Sequence, residues 1–172
     1  PFFIRALSLT IQKYPVINSS FDKQQHKVLY HQTHNIGVAM DTPLGLIVPV
    51  LKQVEKLSLN ELVYAYEELK EKAKTNKLSS SDMKEGTITI TNFGALSGGG
   101  LFATPIINYP EASILGVARI QKEPAAYHGE LALRDHLHLS WSFDHRIIDG
   151  SLAAQVSKTF VDLIENPSKL LE

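Results

Sequence analysis

The sequence predicts an α+β fold with a mixed, mainly antiparallel β-sheet. Segments with the apolar spacing of helices stand at both ends of the chain, and a third begins near residue 58. Shorter segments rich in Val, Ile, Leu and Thr lie between them and are typical of strands. Helices and strands do not alternate strictly, as they do in a parallel βαβ sheet, so the pattern favours α+β over α/β.

Three helices are predicted. The first covers residues 1–14 and ends at Pro15, because proline cannot continue a helix. The second begins at Ser58, which has the spacing of a capping box with Glu61. The third covers residues 151–166, where apolar side chains recur in steps of three and four and define one buried face.

The predicted strands lie at residues 27–32, 35–40, 46–51, 87–92, 112–120 and 136–143. Pro43 and Gly45 favour a chain reversal between the second and third of these, which predicts a hairpin. Residues 87–92 alternate Thr with Ile, which indicates a strand with one face that is either exposed to solvent or functional. Four glycines in residues 94–100 argue against regular structure there.

Composition excludes several classes of protein. The 172 residues are enough for one compact domain, and 44% are hydrophobic, as in globular proteins. A net charge of -1 offers no basic surface for nucleic acid. The absence of cysteine excludes disulfides, thiolate metal sites and a cysteine acyl-enzyme. No apolar run is long enough to span a membrane, and because the chain does not begin with Met we expect it to be part of a longer polypeptide.

The strongest candidate for chemistry is the segment SFDHRIIDG at residues 142–150. A strand there delivers His145 into a tight turn, and a helix follows Gly150. A histidine fixed in this way is suited to general base catalysis. The alternative is structural, with Asp149 as the N-cap of the last helix and His145 as a surface turn residue. A cap and a site-shaping carboxylate are compatible roles for Asp149.

Other candidates are weaker. Thr91 ends a strand beside the glycine-rich loop and could donate to an oxyanion, but it also fits as an ordinary strand threonine. The segment ALSGG at residues 95–99 lacks the first glycine of a nucleophile elbow and is a poor helix start, so we reject it. His136 and His138 share one strand face, but no third metal ligand is evident, and no metal site is predicted.

Four sequence blocks in order resemble the dihydrolipoamide acyltransferases that form the cores of 2-oxo acid dehydrogenase complexes. They are residues 35–50 (NIGVAMDTPLGLIVPV), 86–94 (GTITITNFG), 110–116 (PEASILG) and 140–150 (SWSFDHRIIDG). The resemblance covers essentially the whole chain and is strongest to the branched-chain type. It implies that residues 1–172 are the acyltransferase catalytic domain without its N-terminal part.

The resemblance implies a two-layer fold like that of chloramphenicol acetyltransferase and a homotrimer with active sites between subunits. Trimers of this family assemble into a large hollow core. The implied substrates are coenzyme A and a lipoyl-lysine supplied by a separate lipoyl domain. The implied partners are that domain, the decarboxylase and dihydrolipoamide dehydrogenase, with neither nucleic acid nor membrane. The implied location is the cytoplasm, or the mitochondrial matrix in a eukaryote.

The resemblance also implies residue roles. His145 matches the catalytic histidine, Asp149 the motif aspartate, and Thr91 the position where the family usually has a serine that stabilises the transition state. The positions that match coenzyme A contacts are Asp41, Lys70, Thr91, Asn92, Ala118 and Ile120. Ala118 replaces a usual glycine, so only its backbone can serve. The glycine loop is about two residues longer than in relatives.

Two other functions are compatible with these features. One is a small-molecule O-acetyltransferase of the chloramphenicol acetyltransferase type, which shares the His/Asp motif but would not need the block at residues 35–50. The other is a non-catalytic scaffold of the complex, which would be free to lose His145.

Overall fold

The computed structural model describes residues 1–43, 45–95 and 101–171. Within them, three α-helices and eight strands are formed. The helices are α1 (Phe2–Lys13), α2 (Leu59–Lys74) and α3 (Gly150–Glu165). The strands are β1 (Ser19–Asp22), β2 (Lys27–Tyr30), β3 (Ile36–Thr42), β4 (Gly45–Ile47), β5 (Val50–Leu51), β6 (Ile88–Asn92), β7 (Ser113–Tyr127) and β8 (Glu130–Phe143).

The main sheet has the strand order β4-β3-β6-β7-β8, and β5 also pairs with β3. The β3–β6 and β6–β7 pairs are parallel, while the pairs of β3 with β4 and β5 and the β7–β8 pair are antiparallel. Strands β1 and β2 form a separate antiparallel hairpin. The predicted α+β class with a mixed, mainly antiparallel sheet is therefore confirmed.

One apolar core joins the helices to one face of the sheet. Alternate residues of β3 and β6, such as Ile36 and Ile88, face this core. Leu7 of α1, Leu62 of α2 and Phe160 of α3 pack in the same buried cluster. All three helices therefore bury their apolar stripe in one core on the same face of the sheet.

The helix predictions are confirmed within one or two residues. Ser58 caps α2: its hydroxyl accepts from the Glu61 backbone N–H, and the Glu61 carboxylate accepts from the Ser58 N–H at 2.8 Å. Helix α1 ends at Lys13, two residues before Pro15, as the missing proline N–H requires. None of the helices in the described part of the chain is long and apolar enough to cross a membrane.

The strands depart from the predictions in several places. Strand β1 was not predicted, and residues 46–51 form two short strands, β4 and β5, with Pro49 between them. Strands β7 and β8 run on as a two-stranded extension well past residue 120. The solvent-facing side expected for residues 87–92 is wrong, because Thr87 and Thr89 are buried. The alternative, a functional face, stays a prediction. Leu44 in the predicted turn and residues 96–100 of the glycine loop, with most of the rejected ALSGG segment, lie outside the described residues.

Candidate active site

His145 lies in a tight turn between β8 and α3, and the backbone fixes that turn from both sides. The N–H of Asp144 donates to the carbonyl of Ala112 at 2.8 Å, which continues the β7–β8 ladder by one residue. The carbonyl of Asp144 accepts from the N–H groups of Ile147 and Ile148 at 2.9 and 3.0 Å. The side chain of Ile148 is buried in the core and anchors the turn, whereas His145 is exposed to solvent.

An ion pair closes the same turn. The Asp144 carboxylate accepts from the Arg146 backbone N–H at 3.1 Å and from its guanidinium at 2.5–3.2 Å. These bonds hold the pKa of Asp144 below its usual value. The guanidinium also lies over the ring of Phe21, 4.2 Å from its centroid. The side chains of Asp144 and Arg146, on either side of His145, therefore pair with each other. Within the described residues the His145 ring has no hydrogen-bond partner.

Asp149 is the N-cap of α3. Its carboxylate accepts from the Leu152 backbone N–H at 2.8 Å, which satisfies one of the free donors at the helix start. The structural interpretation of Asp149 is thus confirmed. Its side chain is exposed, so the cap leaves the other carboxylate oxygen accessible for a second role.

Thr91 and Asn92 end β6 at the opposite end of the sheet. Thr91 is half-buried, and within the described residues its hydroxyl has no hydrogen-bond partner. The side-chain Oδ1 of Asn92 accepts from the Gly94 backbone N–H at 3.0 Å. Gly94 has to be glycine here, because a Cβ at that position would lie 2.0 Å from the backbone nitrogen of Arg119. This close approach packs the end of β6 onto β7.

The positions matched to coenzyme A contacts gather at this end of the sheet. Asn92, Ala118 and Ile120 line a cavity of about 280 Å³, and Asn92 also borders a second cavity of about 220 Å³ beside Tyr66. The register of β7 and β8 shifts at residues 118–119, and Ala118 is buried while Ile120 is exposed. Because Ala39 pairs with Thr91, Asp41 lies two residues further along β3, at the same edge.

Lys70 lies on α2, one turn after Tyr66. Its ammonium pairs with the Glu67 carboxylate and lies 5.6 Å from the centre of the Tyr66 ring. The hydrogen bond from Lys70 to Glu67 raises the pKa of the lysine. The Lys70 ammonium therefore stays charged close to Tyr66, which lines the cavity of about 220 Å³, but it is already paired with Glu67.

A single chain does not bring Thr91 and His145 together. Thr91 is level with Gly116 on β7 and with Ser140 on β8, whereas His145 lies beyond Phe143, the last residue of β8. Three residues of strand separate Ser140 from Phe143, or about 10 Å, and two strand spacings separate β6 from β8, about another 10 Å. The two residues therefore occupy opposite ends of the sheet.

The profile of the family described as "2-oxoacid dehydrogenases acyltransferase (catalytic domain)" matches residues 1–172. The chain belongs to this family. The curated relative from Staphylococcus epidermidis (strain ATCC 35984), a dihydrolipoyllysine-residue acetyltransferase component of the pyruvate dehydrogenase complex, is 42% identical over 171 residues. That alignment covers 99% of this chain but only 39% of the relative, so the chain spans about two fifths of the relative's length.

Solved structures of the same acyltransferase family superpose closely. The dihydrolipoamide acetyltransferase of Azotobacter vinelandii has a TM-score of 0.92 at 35% identity, covering 100% of this chain and 70% of that one. The cubic core of a pyruvate dehydrogenase multienzyme complex has a TM-score of 0.92 at 36% identity, with the same coverage. A chloramphenicol acetyltransferase has a TM-score of 0.51 at 14% identity over 94% of this chain and 75% of that one, which shows the predicted fold alone.

The acyltransferase family is thus confirmed, but the branched-chain type is not. The relatives from Staphylococcus epidermidis and Staphylococcus aureus, 42% and 40% identical, are acetyltransferase components of pyruvate dehydrogenase complexes. The blocks quoted from the sequence therefore identify the family and leave the acyl group to be tested.

Sequence reasoning missed Glu111 in this acyltransferase chain. Its side chain is only 5% exposed, and its carboxylate accepts from the Thr89 hydroxyl at 2.7 Å and from the Asn108 amide at 3.1 Å. Burial raises its pKa to about 7, although both hydrogen bonds favour the ionised form. The available signal was a carboxylate directly before the apolar run at residues 112–118.

His136 and His138 share a partner that the sequence did not indicate. The Glu123 carboxylate lies 3.0 Å from Nε2 of His138 and 3.6 Å from Nδ1 of His136. Across residues 1–43, 45–95 and 101–171, no group of three or more His, Asp or Glu side chains is arranged to hold a metal ion. The three side chains form a partly exposed polar cluster on the β7–β8 extension.

Proposed function

We propose that this chain transfers an acyl group between dihydrolipoyl-lysine and coenzyme A, as the catalytic domain of a 2-oxo acid dehydrogenase complex. The single observation that carries the proposal is the rigid turn that presents His145 at the surface, in a chain of the acyltransferase family. The curated relatives are named as acetyltransferases of dihydrolipoyllysine residues, which supports the same pair of substrates.

The proposed chemistry follows from the side chains of His145 and Thr91. A thiol with a pKa near ~8.5 is mostly protonated at neutral pH, so attack on a thioester needs a base. Neutral His145 accepts the thiol proton while the sulfur adds to the thioester carbonyl. The Thr91 hydroxyl donates to the resulting oxyanion. Collapse expels the other sulfur, which receives the proton back from the His145 imidazolium, and no covalent enzyme intermediate forms.

The separation of Thr91 from His145 supports a site shared by two protomers. His145 is exposed in a single chain, and a thioester exchange there would be open to water. In the proposed homotrimer, His145 of one protomer faces Thr91 of the next, and the intersubunit channel excludes water. The solved cubic core is a precedent for further assembly of trimers into a hollow particle.

The Azotobacter vinelandii structure supports the assignment of roles. It comes from an investigation of a serine, a histidine and an asparagine in the catalytic mechanism of that enzyme. The histidine and the asparagine are four positions apart, as His145 and Asp149 are here. The serine precedes the histidine by 52 positions, against 54 for Thr91 and His145. The difference of two equals the extra length that the sequence resemblance implies for the glycine loop.

Coenzyme A is proposed to bind where the carboxyl ends of β3 and β6 meet residues 118–120 of β7. The Asn92 amide and the exposed Ile120 side chain offer polar and apolar contacts around the cavity of about 280 Å³, and Ala118 contributes its backbone. Asp41 is placed to accept from a hydroxyl or an amino group of the ligand. Lys70 is placed for a phosphate, but its ammonium first has to exchange Glu67 for that phosphate.

The acyl group and the partners belong to the same proposal. The sequence resemblance favours a branched-chain acyl group, whereas the matched relatives act on acetyl groups according to their names. Rates with acetyl-, isobutyryl- and isovaleryl-coenzyme A decide between them. A lipoyl domain, a decarboxylase and dihydrolipoamide dehydrogenase are the partners that this reaction requires.

The experiment compares His145→Ala with the parent in acyl transfer from acyl-coenzyme A to dihydrolipoamide. We expect a loss of about 10²-fold or more, because a general base is removed. The matched control is His128→Asn, an exposed histidine with φ +51° beside Gly129, where Asn-Gly is a favoured turn. Particle mass by light scattering should be unchanged in both. A His145→Ala rate within about tenfold of the parent would contradict the proposal.

A further inference from the structure

Glu111 carries a buried carboxylate that the proposed mechanism does not use. It lies directly before β7, and its backbone forms an isolated bridge with Ser20 and donates to the Asn108 carbonyl at 2.9 Å. Within the described parts of the chain, neither Lys nor Arg forms an ion pair with it. A carboxylate buried without a cation is costly to keep, so its position needs an explanation.

The Glu111 carboxylate connects β6 and the segment before β7 to the start of β7. One oxygen accepts from Thr89 in the middle of β6, and the other accepts from the Asn108 side chain in the segment that leads to β7. The next residue, Ala112, is wholly buried and provides the carbonyl that receives the Asp144 N–H. The His145 turn is thus attached to the sheet through the peptide that Glu111 holds.

The two hydrogen bonds require a side chain that reaches both Thr89 and Asn108. An ionised carboxylate accepts from both. A protonated carboxyl keeps both bonds as well, because the Thr89 hydroxyl can also accept while the other carboxyl oxygen accepts from Asn108. Gln can bridge the same two partners through its amide, whereas Ala removes both bonds.

We propose that Glu111 is a positioning residue: its buried carboxylate, by accepting from Thr89 and Asn108, fixes the peptide that anchors the His145 turn. This inference rests on the proposed function, in which His145 is the general base. Glu111 touches neither substrate nor the reacting atoms, and it acts through Ala112 and Asp144.

Protons reach Glu111 from an open cavity of about 1070 Å³. The other titratable side chains that line this cavity are His31, Lys52, Lys84, Glu85 and Tyr109. Lys52 is paired with Glu85, and burial lowers the pKa of His31, so that His31 is neutral near pH 7. With a pKa of about 7, Glu111 changes its charge near neutral pH. Because either form can bond both Thr89 and Asn108, the anchoring of the turn does not depend on that charge.

The test uses Glu111→Ala in the assembled full-length protein, with Glu111→Gln as the conservative variant. In Glu111→Ala we expect kcat for acyl transfer to fall about tenfold or more, because misplacing a catalytic group by a fraction of an ångström is costly, while KM for acyl-coenzyme A stays within about twofold. The backbone amides of residues 144–148 should exchange with deuterium faster than in the parent. Glu111→Gln should restore both kcat and exchange to values near those of the parent.

The matched control is Glu85→Gln, which removes an exposed carboxylate from the wall of the same cavity and should leave kcat and exchange unchanged. If Glu111→Ala does not fold, Thr89→Val removes one of the two partners and leaves the carboxylate, and the same two measurements apply. Unchanged exchange at residues 144–148 overturns the proposal, as does faster exchange with an unchanged kcat. A parent that transfers no acyl group overturns the proposed function instead, and exchange alone then decides whether Glu111 holds the turn.

Discussion

The imidazole of His34 and the hydroxyl of Ser8 form a hydrogen bond of 2.8 Å inside the protein, where both side chains are almost fully buried. Burial lowers the pKa of His34, while the nearby Glu55 carboxylate opposes that shift. The folded protein therefore keeps His34 neutral at a pH where the unfolded chain protonates it.

We predict that this residue makes the fold less stable as the pH falls below about 6.5, because the unfolded state then binds one more proton. The slope from a single group is at most about 1.4 kcal/mol per pH unit. Urea denaturation between pH 7.5 and 5.5 should show a smaller loss of stability in His34→Gln than in the parent. The exposed His128→Asn should follow the parent, and equal slopes in parent and His34→Gln would refute the prediction.

Glu111 acts on stability with the opposite sign. Its pKa is raised in the folded state, so its contribution is present below about pH 4.5 and is lost as the pH rises through about 7. Glu111→Gln removes the cost of burying the charge and should stabilise the fold at pH 8 by at most about 3 kcal/mol. The gain should disappear near pH 4.5. Because Gln can still bridge Thr89 and Asn108, its catalysis should stay near that of the parent.

Thr91 offers a test of the hydroxyl alone. Thr91→Val keeps the shape and the strand propensity of the side chain but removes the donor, and we expect kcat to fall by about 10²–10³-fold. Thr91→Ser restores the hydroxyl and should recover most of that loss. Steady-state kinetics with dihydrolipoamide measure both. Equal rates for the valine and serine variants would remove the hydroxyl from the mechanism.

Asp149 combines a cap with a position in the catalytic motif. Asp149→Ala should lower the stability of the fold by about 1 kcal/mol, because the Leu152 N–H loses its acceptor. Asp149→Asn keeps an acceptor oxygen and should hold both stability and activity near those of the parent. Thermal melting and acyl transfer assays on the two variants separate the roles. An inactive but stable Asp149→Asn would assign the carboxylate charge a function beyond the cap.

The sequence was sufficient where a structural element is determined by its own residues. Ser58 and Glu61 form the capping box that their spacing predicts, and the hairpin after Asp41 follows from its turn residues. The His145 turn was also predicted, because a strand, a turn and a capped helix adjoin there in sequence.

The sequence was insufficient where partners are distant along the chain. The distal part of β7–β8 has no buried face, since Leu131 and Leu133 are 82% and 69% exposed, so it lacks the pattern that identifies a half-buried strand. The buried hydroxyl of Thr89 donates a hydrogen bond to Glu111, which lies 22 residues later in the chain. The opposite placement of Thr91 and His145 depends on strand order, which local pattern does not encode.

The placement of Thr91 and His145 at opposite ends of the sheet has a consequence for particles assembled from two variants. If each reaction centre takes its hydroxyl from one subunit and its imidazole from another, a Thr91→Val protein and a His145→Ala protein are inactive for different reasons. When the two are unfolded together and reassembled, some junctions contain one intact residue from each parent. Mixed particles should then regain measurable turnover that neither parent has alone.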